Sequence, residues 1–248
     1  MSRRARPLIA ALALSIAAGH GTAAQEWDVQ VTPYAWLLGM SGDVGSFGLP
    51  AADVDLSFGD ILENLDYSFF VLGIARHENF SVFFDGMTSK LSHSEDVERP
   101  DVDEVGLVSK TTNVMLSLGG TLAQSPTRRL EAYGGARAWW LSNEFEVSQT
   151  GGPSRTVKSD ADWVDPVVGL VGTYRINDRF TLFGNAEVGG FGVGSDLSWS
   201  IFAGTFYTYS DRIDLSVGWR YMSVDYADDE VTFDVDQSGP VIGATFRF

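Results

Sequence analysis

The last ten residues of the chain, 239–248, have the sequence GPVIGATFRF. Apolar side chains occupy every second position, namely Pro240, Ile242, Ala244, Phe246 and Phe248, and small or polar side chains dominate the other face. This alternation is typical of a β-strand with an apolar environment on one side. The segment therefore predicts either the closing strand of a transmembrane barrel or an amphipathic strand of a soluble sandwich.

The N-terminal residues predict export. Arg3, Arg4 and Arg6 precede an apolar run at residues 8–18, and small residues follow it. Basic, apolar and small-residue regions in this order are typical of a signal peptide, which we place at residues 1–24. No later segment is long and apolar enough to span a bilayer as a helix. If the exported chain crosses a membrane, a closed barrel is the remaining solution, because lipid offers no partners to unpaired backbone groups.

We interpret the mature chain, residues 25–248, as one domain. Its composition excludes some classes of site and of binding partner. The sequence contains no cysteine, so disulfide bonds and cysteine metal sites are excluded. The formal net charge is −16, and the signal peptide contains arginines but no acidic residue. A surface this acidic repels nucleic acid, so we expect no nucleic-acid partner.

Alternating segments fill the chain from residue 66 onward. Short connections with turn residues alternate with longer ones, as periplasmic turns and extracellular loops do in outer-membrane barrels. With a first strand at 27–39, they predict an all-β fold, an antiparallel transmembrane β-barrel of about ten strands (range roughly eight to twelve) with both termini in the periplasm. Residues 39–50 and 52–58 predict a further hairpin that stands off the barrel. The other strands are expected at 66–76, 80–92, 104–122, 130–147, 155–174, 179–193, 196–207, 212–226 and 231–248.

The same alternation assigns charged side chains to the lumen. Residues 212–221 show it most clearly, with apolar side chains at the odd positions and with Asp214 and Arg220 among the even ones. Arg137 and Glu187 are turned inward by the same argument. Charges in a low-dielectric interior persist only when they are paired. We therefore expect a lumen charge network formed by Arg137, Glu187, Asp214 and Arg220.

One short helical segment interrupts the strands. Ser57 and Asp60 have the spacing of an N-terminal capping box. An apolar face follows at helical spacing. A helix of about two turns is not stable alone and must pack on something. We expect either a loop helix on the rim of the barrel or a plug that constricts the lumen, and its apolar face consists of Phe58, Ile61, Leu62 and Leu65.

Acidic residues and arginines are segregated along the chain. Acids cluster at residues 53–63, 95–104 and 225–236, in the predicted extracellular segments, whereas several arginines lie near the predicted periplasmic turns. Two interpretations stay open: a solvated acidic face, or oxygen ligands for divalent cations that bridge to lipopolysaccharide phosphates. The clusters do not identify a metal. If the lumen conducts, the acids predict a preference for cations.

Catalytic motifs are weak. The sequence Ser92-His93-Ser94-Glu95 has the residue types of a hydrolase, but neighbours on a strand point to opposite faces. Asp85 and Glu187 are inward carboxylates, which in a barrel are expected to pair with arginines. The glycines at 190–194 precede a strand, not the helix of a dinucleotide-binding motif, and we interpret them as a tight external turn. We predict no catalytic residue and no cofactor.

The chain contains the blocks SFGDILENLD at 57–66, FDGM at 84–87, DPVVGL at 165–170 and GGFGVGSD at 189–196. These blocks are similar to recurring blocks of an uncharacterised family of Gram-negative outer-membrane β-barrel proteins. The aromatic ending also resembles the C-terminal signal of such barrels, which implies that Phe246 and Phe248 engage the barrel assembly machinery. The resemblance implies a barrel in the cell outer membrane but no activity.

These observations favour a non-enzymatic envelope protein with a structural or surface-interaction role and a largely filled, charged lumen. The filled lumen is expected because small barrels have interiors just wide enough for side chains. The main alternative is a narrow, cation-preferring diffusion channel of the porin type, and a barrel hydrolase that acts on lipids or peptides is a third hypothesis. Expected partners are outer-membrane lipid and lipopolysaccharide.

Overall fold

The computed structural model describes residues 27–47, 51–99, 102–148 and 154–248. The predicted signal peptide, residues 1–24, lies outside this part of the chain. No helix among the described residues is long and apolar enough to cross a membrane. The elements are β1 (Asp28–Trp36), β2 (Gly39–Gly45), β3 (Ala52–Leu56), α1 (Phe58–Glu63), β4 (Leu65–His77), β5 (Phe80–Arg99), β6 (Val102–Gln124), β7 (Arg128–Ser148), β8 (Arg155–Arg175), β9 (Phe180–Gly189), β10 (Leu197–Ser210), β11 (Ile213–Ala227) and β12 (Thr232–Arg247).

Ten of these strands close into an antiparallel barrel. Strands β4 to β12 pair in chain order, and β1 pairs with β4 on one side and with β12 on the other. At the closing seam Gln30 is opposite Arg247, and Tyr34 is opposite Gly243. The predicted all-β barrel of about ten strands is therefore confirmed. Both ends of the described chain and the short turns lie at one end of the barrel, which is the periplasmic end in this architecture.

The outer surface of the barrel is an apolar belt. On β12, Ile242 is 57% exposed whereas Val241 is 1% exposed, which confirms the predicted alternation. Trp199 and Tyr221 stack on the outside with their ring centroids 4.8 Å apart, as aromatic side chains do at membrane interfaces. Such a continuous apolar band on a closed barrel matches lipid. The belt includes Leu116, Leu118, Val164, Val168, Leu170, Leu182, Ile201, Leu215, Val217 and Trp219.

The strands β2 and β3 form a hairpin above the barrel. β2 pairs with the first half of β12, and β3 pairs with β2. The end of β2 crosses to the wall formed by β7, where Asn143 Nδ2 donates to Ser46 Oγ at 2.7 Å. The ring centroids of Phe47 and Phe145 are 6.4 Å apart. The predicted hairpin is thus present, but it covers the extracellular opening instead of standing off the barrel, because its end finds apolar and polar partners there.

An aromatic cluster fills the extracellular half of the lumen, and we define it as Trp139, Trp163, Tyr226 and Phe233. Trp163 stacks on Trp139 at 5.5 Å and on Tyr226 at 3.8 Å between ring centroids. Phe233 lies 6.3 Å from Trp163. None of the four side chains is more than 8% exposed. Because β7 and β8 supply two of them and β11 and β12 the others, the cluster joins two different walls of the barrel.

The glycine-rich segment after β9 is a tight turn anchored to β8. β9 ends at Gly189, earlier than the residue 193 that alternation predicts, because Gly190 and Gly192 adopt φ angles of 86° and 68°. Asp165 accepts hydrogen bonds from the backbone N–H of Ser195 at 2.7 Å and from its hydroxyl at 2.9 Å. The turn is therefore held by a buried carboxylate.

The helix α1 begins with the predicted capping box. The Ser57 side chain accepts from the Asp60 N–H, and the Asp60 carboxylate accepts from the Ser57 hydroxyl and N–H at 2.6 Å and 2.8 Å. These bonds lower the pKa of Asp60. Ile61 is buried and Leu62 is exposed. The helix contacts β2 and β3, and no residue of α1 lines the lumen cavity described below.

Candidate functional site in the barrel lumen

A buried charge network crosses the lumen on the periplasmic side of the aromatic cluster. Asp85 lies at its centre and is 2% exposed. Asp85 Oδ2 is 2.6 Å from a guanidinium nitrogen of Arg220 and 3.5 Å from one of Arg137. The hydroxyl of Tyr34 donates to Asp85 Oδ1 at 3.2 Å and accepts from Arg220 at 2.6 Å. The guanidinium of Arg220 also lies 5.1 Å from the ring centroid of Trp36, a cation–π distance.

Glu187 extends this network to another wall. Its Oε1 is 2.5 Å from a guanidinium nitrogen of Arg137, and its Oε2 accepts from the Tyr133 hydroxyl at 3.1 Å. Arg137 also donates to Asn113 at 3.0 Å, and Asn185 donates to the Tyr133 hydroxyl at 2.8 Å. The two carboxylates therefore balance two guanidiniums, as buried charges require. We call the following residues the lumen network: Tyr34, Asp85, Asn113, Tyr133, Arg137, Asn185, Glu187 and Arg220.

The structure brings together three of the four residues expected to form a lumen charge network. Arg137, Glu187 and Arg220 belong to the lumen network. Asp214 is also buried in the lumen, but it lies nearer the periplasmic end and pairs with Arg247. The predicted set is therefore divided between two levels of the barrel.

Five of the eight network residues were not assigned to it by sequence reasoning: Tyr34, Asp85, Asn113, Tyr133 and Asn185. Asp85, indicated only as an inward carboxylate, is the residue that joins the two arginines. Tyr34 belongs to the predicted first strand at 27–39, and its position two residues from Thr32 turns it inward. Alternation on β1 and β5 identifies both side chains as inward, but it does not indicate which strands supply their partners.

A cavity of about 510 Å³ lies below the lumen network, and we call it the vestibule. The network residues Tyr34, Asp85, Glu187 and Arg220 line its closed end. Thr127, in a periplasmic turn, lines the other end. The vestibule therefore faces the periplasm, and its volume falls within the roughly 300–1,000 Å³ of small-molecule sites.

Ion pairs surround the periplasmic mouth of the vestibule. Glu131 is 1% exposed and lies 2.8 Å from Arg76 and 3.1 Å from Arg129. The Ser81 hydroxyl also donates to Glu131. Arg175 lines the vestibule as well, but its guanidinium has no ion pair or side-chain hydrogen bond among the described residues. Arg128 also lines the vestibule, and its guanidinium lies 5.6 Å from the ring centroid of Tyr174. Within the described part of the chain, the mouth thus combines paired arginines with Arg175, whose guanidinium has neither an ion pair nor a cation–π contact.

A row of aspartates lies on the outside, above the apolar belt. Asp225, Asp234, Asp43 and Asp53 stand opposite one another on β11, β12, β2 and β3, and all four are exposed. Partial burial and the charges of Asp225, Asp43 and Asp236 raise the pKa of Asp234. We call the four residues the aspartate row. Within the described residues, no group of three His, Cys, Asp or Glu side chains is arranged to hold a metal ion.

The residue types of a hydrolase at positions 92–95 do not form a catalytic arrangement with one another. The Ser92 hydroxyl donates to Asp66 at 2.7 Å, and His93 Nδ1 lies 2.7 Å from Asn64 Oδ1. The side chain of Glu95 lies outside the described residues. Ser92 and His93 are therefore each directed to a different partner.

The C-terminal aromatic residues lie at the closing seam. The backbone N–H of Phe248 donates to the carbonyl of Val29 at 2.9 Å. Phe246 is 39% and Phe248 is 72% exposed on the outer surface. A partner that reaches the barrel from the periplasmic edge of the membrane meets these two side chains.

Solved structures provide the comparison for this geometry. No protein-family model and no curated protein sequence matches the chain. The outer membrane protease OmpT from Escherichia coli aligns with a TM-score of 0.58 and 12% identity, over 90% of this chain and 97% of OmpT. The fold is that of a Gram-negative outer-membrane β-barrel. The translocator domain of the autotransporter NalP from Neisseria meningitidis aligns less well, with a TM-score of 0.42 and 12% identity over 91% of this chain and 90% of that domain.

The apolar belt and this fold together locate the protein in the outer membrane. A closed barrel satisfies the backbone groups of every paired strand inside lipid, and the belt supplies the matching surface. At 12% identity the likeness to OmpT shows the fold alone. The activity of the outer-membrane barrel must be inferred from its own side chains.

Proposed function

We propose that this outer-membrane barrel is a non-enzymatic component of the cell envelope, with a structural or surface-interaction role, and that it does not conduct ions. The lumen network and the aromatic cluster, which together block the lumen, carry the proposal. An ion that crosses the barrel has to separate the paired charges of the lumen network and then displace the aromatic cluster. Both steps are unfavourable. Removing one partner of a buried ion pair costs about 3–5 kcal/mol, and opening a packed aromatic cluster costs about as much. These costs argue against the diffusion-channel alternative.

Conductance tests the closed lumen. The mature protein, residues 25–248, is refolded and added to a planar bilayer under a salt gradient. We expect no conductance steps, although the same preparation shows the heat-dependent gel shift of a folded barrel. Steady, cation-selective steps from the folded protein would contradict the proposal and favour the diffusion channel.

The non-enzymatic part of the proposal rests on the separate partners of Ser92 and His93. We expect the refolded protein to cleave neither fluorogenic peptides nor phospholipid vesicles above the rate of the His93→Ala variant. A cleaving activity that His93→Ala abolishes would support the hydrolase alternative. An activity that persists in the variant would also contradict the proposal and indicate a site elsewhere in the chain.

The aspartate row supports a surface role that involves lipopolysaccharide and divalent cations. Like charges directly opposite one another on neighbouring strands destabilise a sheet, and a divalent cation offsets this repulsion. We expect Ca²⁺ to increase binding of the protein to lipopolysaccharide vesicles. The increase should be lost when Asp43 and Asp234 are replaced by Asn, and it should persist in the control Glu63→Gln, which removes an exposed acid outside the row. Equal Ca²⁺ dependence in both variants would contradict this part of the proposal.

A further inference from the structure

We propose that the vestibule binds a small amphiphilic anion from the periplasm, an apolar chain or ring that ends in a carboxylate or a phosphate. This inference goes beyond the proposed function, because a closed barrel needs no ligand. It rests on the shape of the cavity, on an aromatic wall inside it and on the unpaired arginine at its mouth.

The shape of the vestibule admits a molecule from one side. Its volume is about 510 Å³, enough for a small organic ligand. Asp85 and Arg220 close its inner end and are already bound to each other. A ligand therefore enters from the periplasm and stops at the lumen network without crossing the barrel.

One wall of the vestibule is aromatic. Phe183 lies between Phe202 and Phe206, with ring centroids 4.9 Å and 4.5 Å away. The glycine at position 204, opposite Phe183, makes room for this ring, because a Cβ at Gly204 would lie 2.7 Å from Phe183 Cζ. Phe183 and Phe206 remain partly exposed, and both line the vestibule. An apolar ligand that covers these rings removes apolar surface from water, which is the main driving force of such binding.

The cationic group next to this wall is Arg175. It ends β8 and stands opposite Thr181 on β9, two residues before Phe183. Arg76 and Arg129 share Glu131, whereas Arg175 has no such partner among the described residues. A free guanidinium binds carboxylate and phosphate oxygens through two parallel hydrogen bonds. The head of the ligand therefore binds at Arg175 and its apolar body extends along the phenylalanines.

The acids of the mouth do not reverse this preference. Asp28 lines the vestibule, but it belongs to β1, which is separated from β8 by four strands in either direction around the barrel. Its carboxylate accepts hydrogen bonds from Gln30 at 3.2 Å and 3.3 Å. Asp214 pairs with Arg247. The free charge beside the aromatic wall is therefore positive, so an anion is favoured there over a cation.

The test is calorimetric titration of octanoate into the refolded protein in nanodiscs of zwitterionic lipid, with empty nanodiscs as the reference for partition into lipid. The neutral probe 1-octanol has the same chain without the charge. The variant Arg175→Gln removes the proposed head-group contact. The control Arg155→Gln removes another exposed arginine, at the extracellular end of the same strand.

We expect saturable binding of one octanoate per barrel, stronger than that of 1-octanol. Arg175→Gln should weaken octanoate binding about tenfold, as the loss of a charge-assisted contact does, and leave 1-octanol unaffected. Arg155→Gln should bind both probes like the wild type. Octyl phosphate distinguishes the source: tighter binding than octanoate indicates a phospholipid-derived ligand, and weaker binding a fatty-acid carboxylate.

Two results would overturn the proposal. One is octanoate uptake no greater than that of empty nanodiscs. The other is saturable binding that Arg175→Gln leaves unchanged, because the arginine would then serve lipid head groups at the membrane edge rather than the vestibule. Both variants change exposed residues, so a folded protein, verified by its heat-dependent gel shift, is expected in each case.

Discussion

Replacing Asp85 with Asn should strongly destabilise the barrel. The carboxylate contacts Arg220 at 2.6 Å and Arg137 at 3.5 Å, and all three side chains are at most 3% exposed. Without this charge, Glu187 alone must balance two buried guanidiniums. Removing one partner of a buried ion pair costs about 3–5 kcal/mol, because an uncompensated charge stays in the low-dielectric interior. We therefore expect the free energy of unfolding to fall by about 3–5 kcal/mol.

The assay is reversible urea unfolding in lipid vesicles, with equal m-values as the check that both proteins unfold in the same way. Asp234→Asn is the matched control, because it makes the same substitution at an exposed site. Adding Arg220→Met to Asp85→Asn restores the charge balance, so the double variant should be more stable than Asp85→Asn alone. A loss below about 1 kcal/mol for Asp85→Asn would refute the argument that the network holds paired, desolvated charges.

Three further predictions concern other parts of the barrel. Trp163→Ala should lower the unfolding free energy by about 3–5 kcal/mol, because it opens the aromatic cluster. The exposed control Trp140→Ala should lower it less. Equal losses of unfolding free energy in urea would be inconsistent with a packed lumen. Asp234→Asn should stabilise the sheet by about 0.2–1 kcal/mol at pH 7, measured by hydrogen exchange in β2 and β12. Because the folded-state pKa of Asp234 is raised, its charge lowers the unfolding free energy of the wild type fully above that pKa, and this loss disappears as the pH falls towards the unfolded value of about 3.9. A stability difference between wild type and variant that does not depend on pH would contradict the proposed repulsion within the aspartate row. Deletion of Phe248 should slow assembly of the barrel in cells, seen as a smaller heat-modifiable fraction, and assembly at the wild-type rate would show that the C-terminal aromatic is not recognised.

Much of the fold is predictable because alternation reports directly on the two sides of a barrel wall. On β12, Val241 and Ile242 differ in exposure as the pattern indicates. The capping box of Ser57 and Asp60 is equally local, so the helix was found with its correct N-terminus. These features depend on neighbours in the sequence, which a single chain displays.

The remaining features depend on which distant strands meet. Alternation turns Trp139 and Phe233 inward, but only the closed barrel shows that they approach to 6.4 Å and fill the lumen. Alternation likewise turns Asp85 inward but does not identify its partners, which come from β7 and β11. The hairpin of β2 and β3 was correctly paired and wrongly positioned, because its position depends on Phe145 across the opening.

The closed lumen is the central claim, and the absence of cysteine from the chain makes it directly testable. Single cysteines are introduced at Thr181, which lines the vestibule, and at Met222, which is 2% exposed in the core on the extracellular side of the lumen network. Both variants are treated in nanodiscs, which expose both faces of the barrel, with a small charged methanethiosulfonate. The account predicts rapid reaction of Thr181→Cys and no reaction of Met222→Cys until the protein is unfolded. Equal reaction rates at the two positions would contradict it.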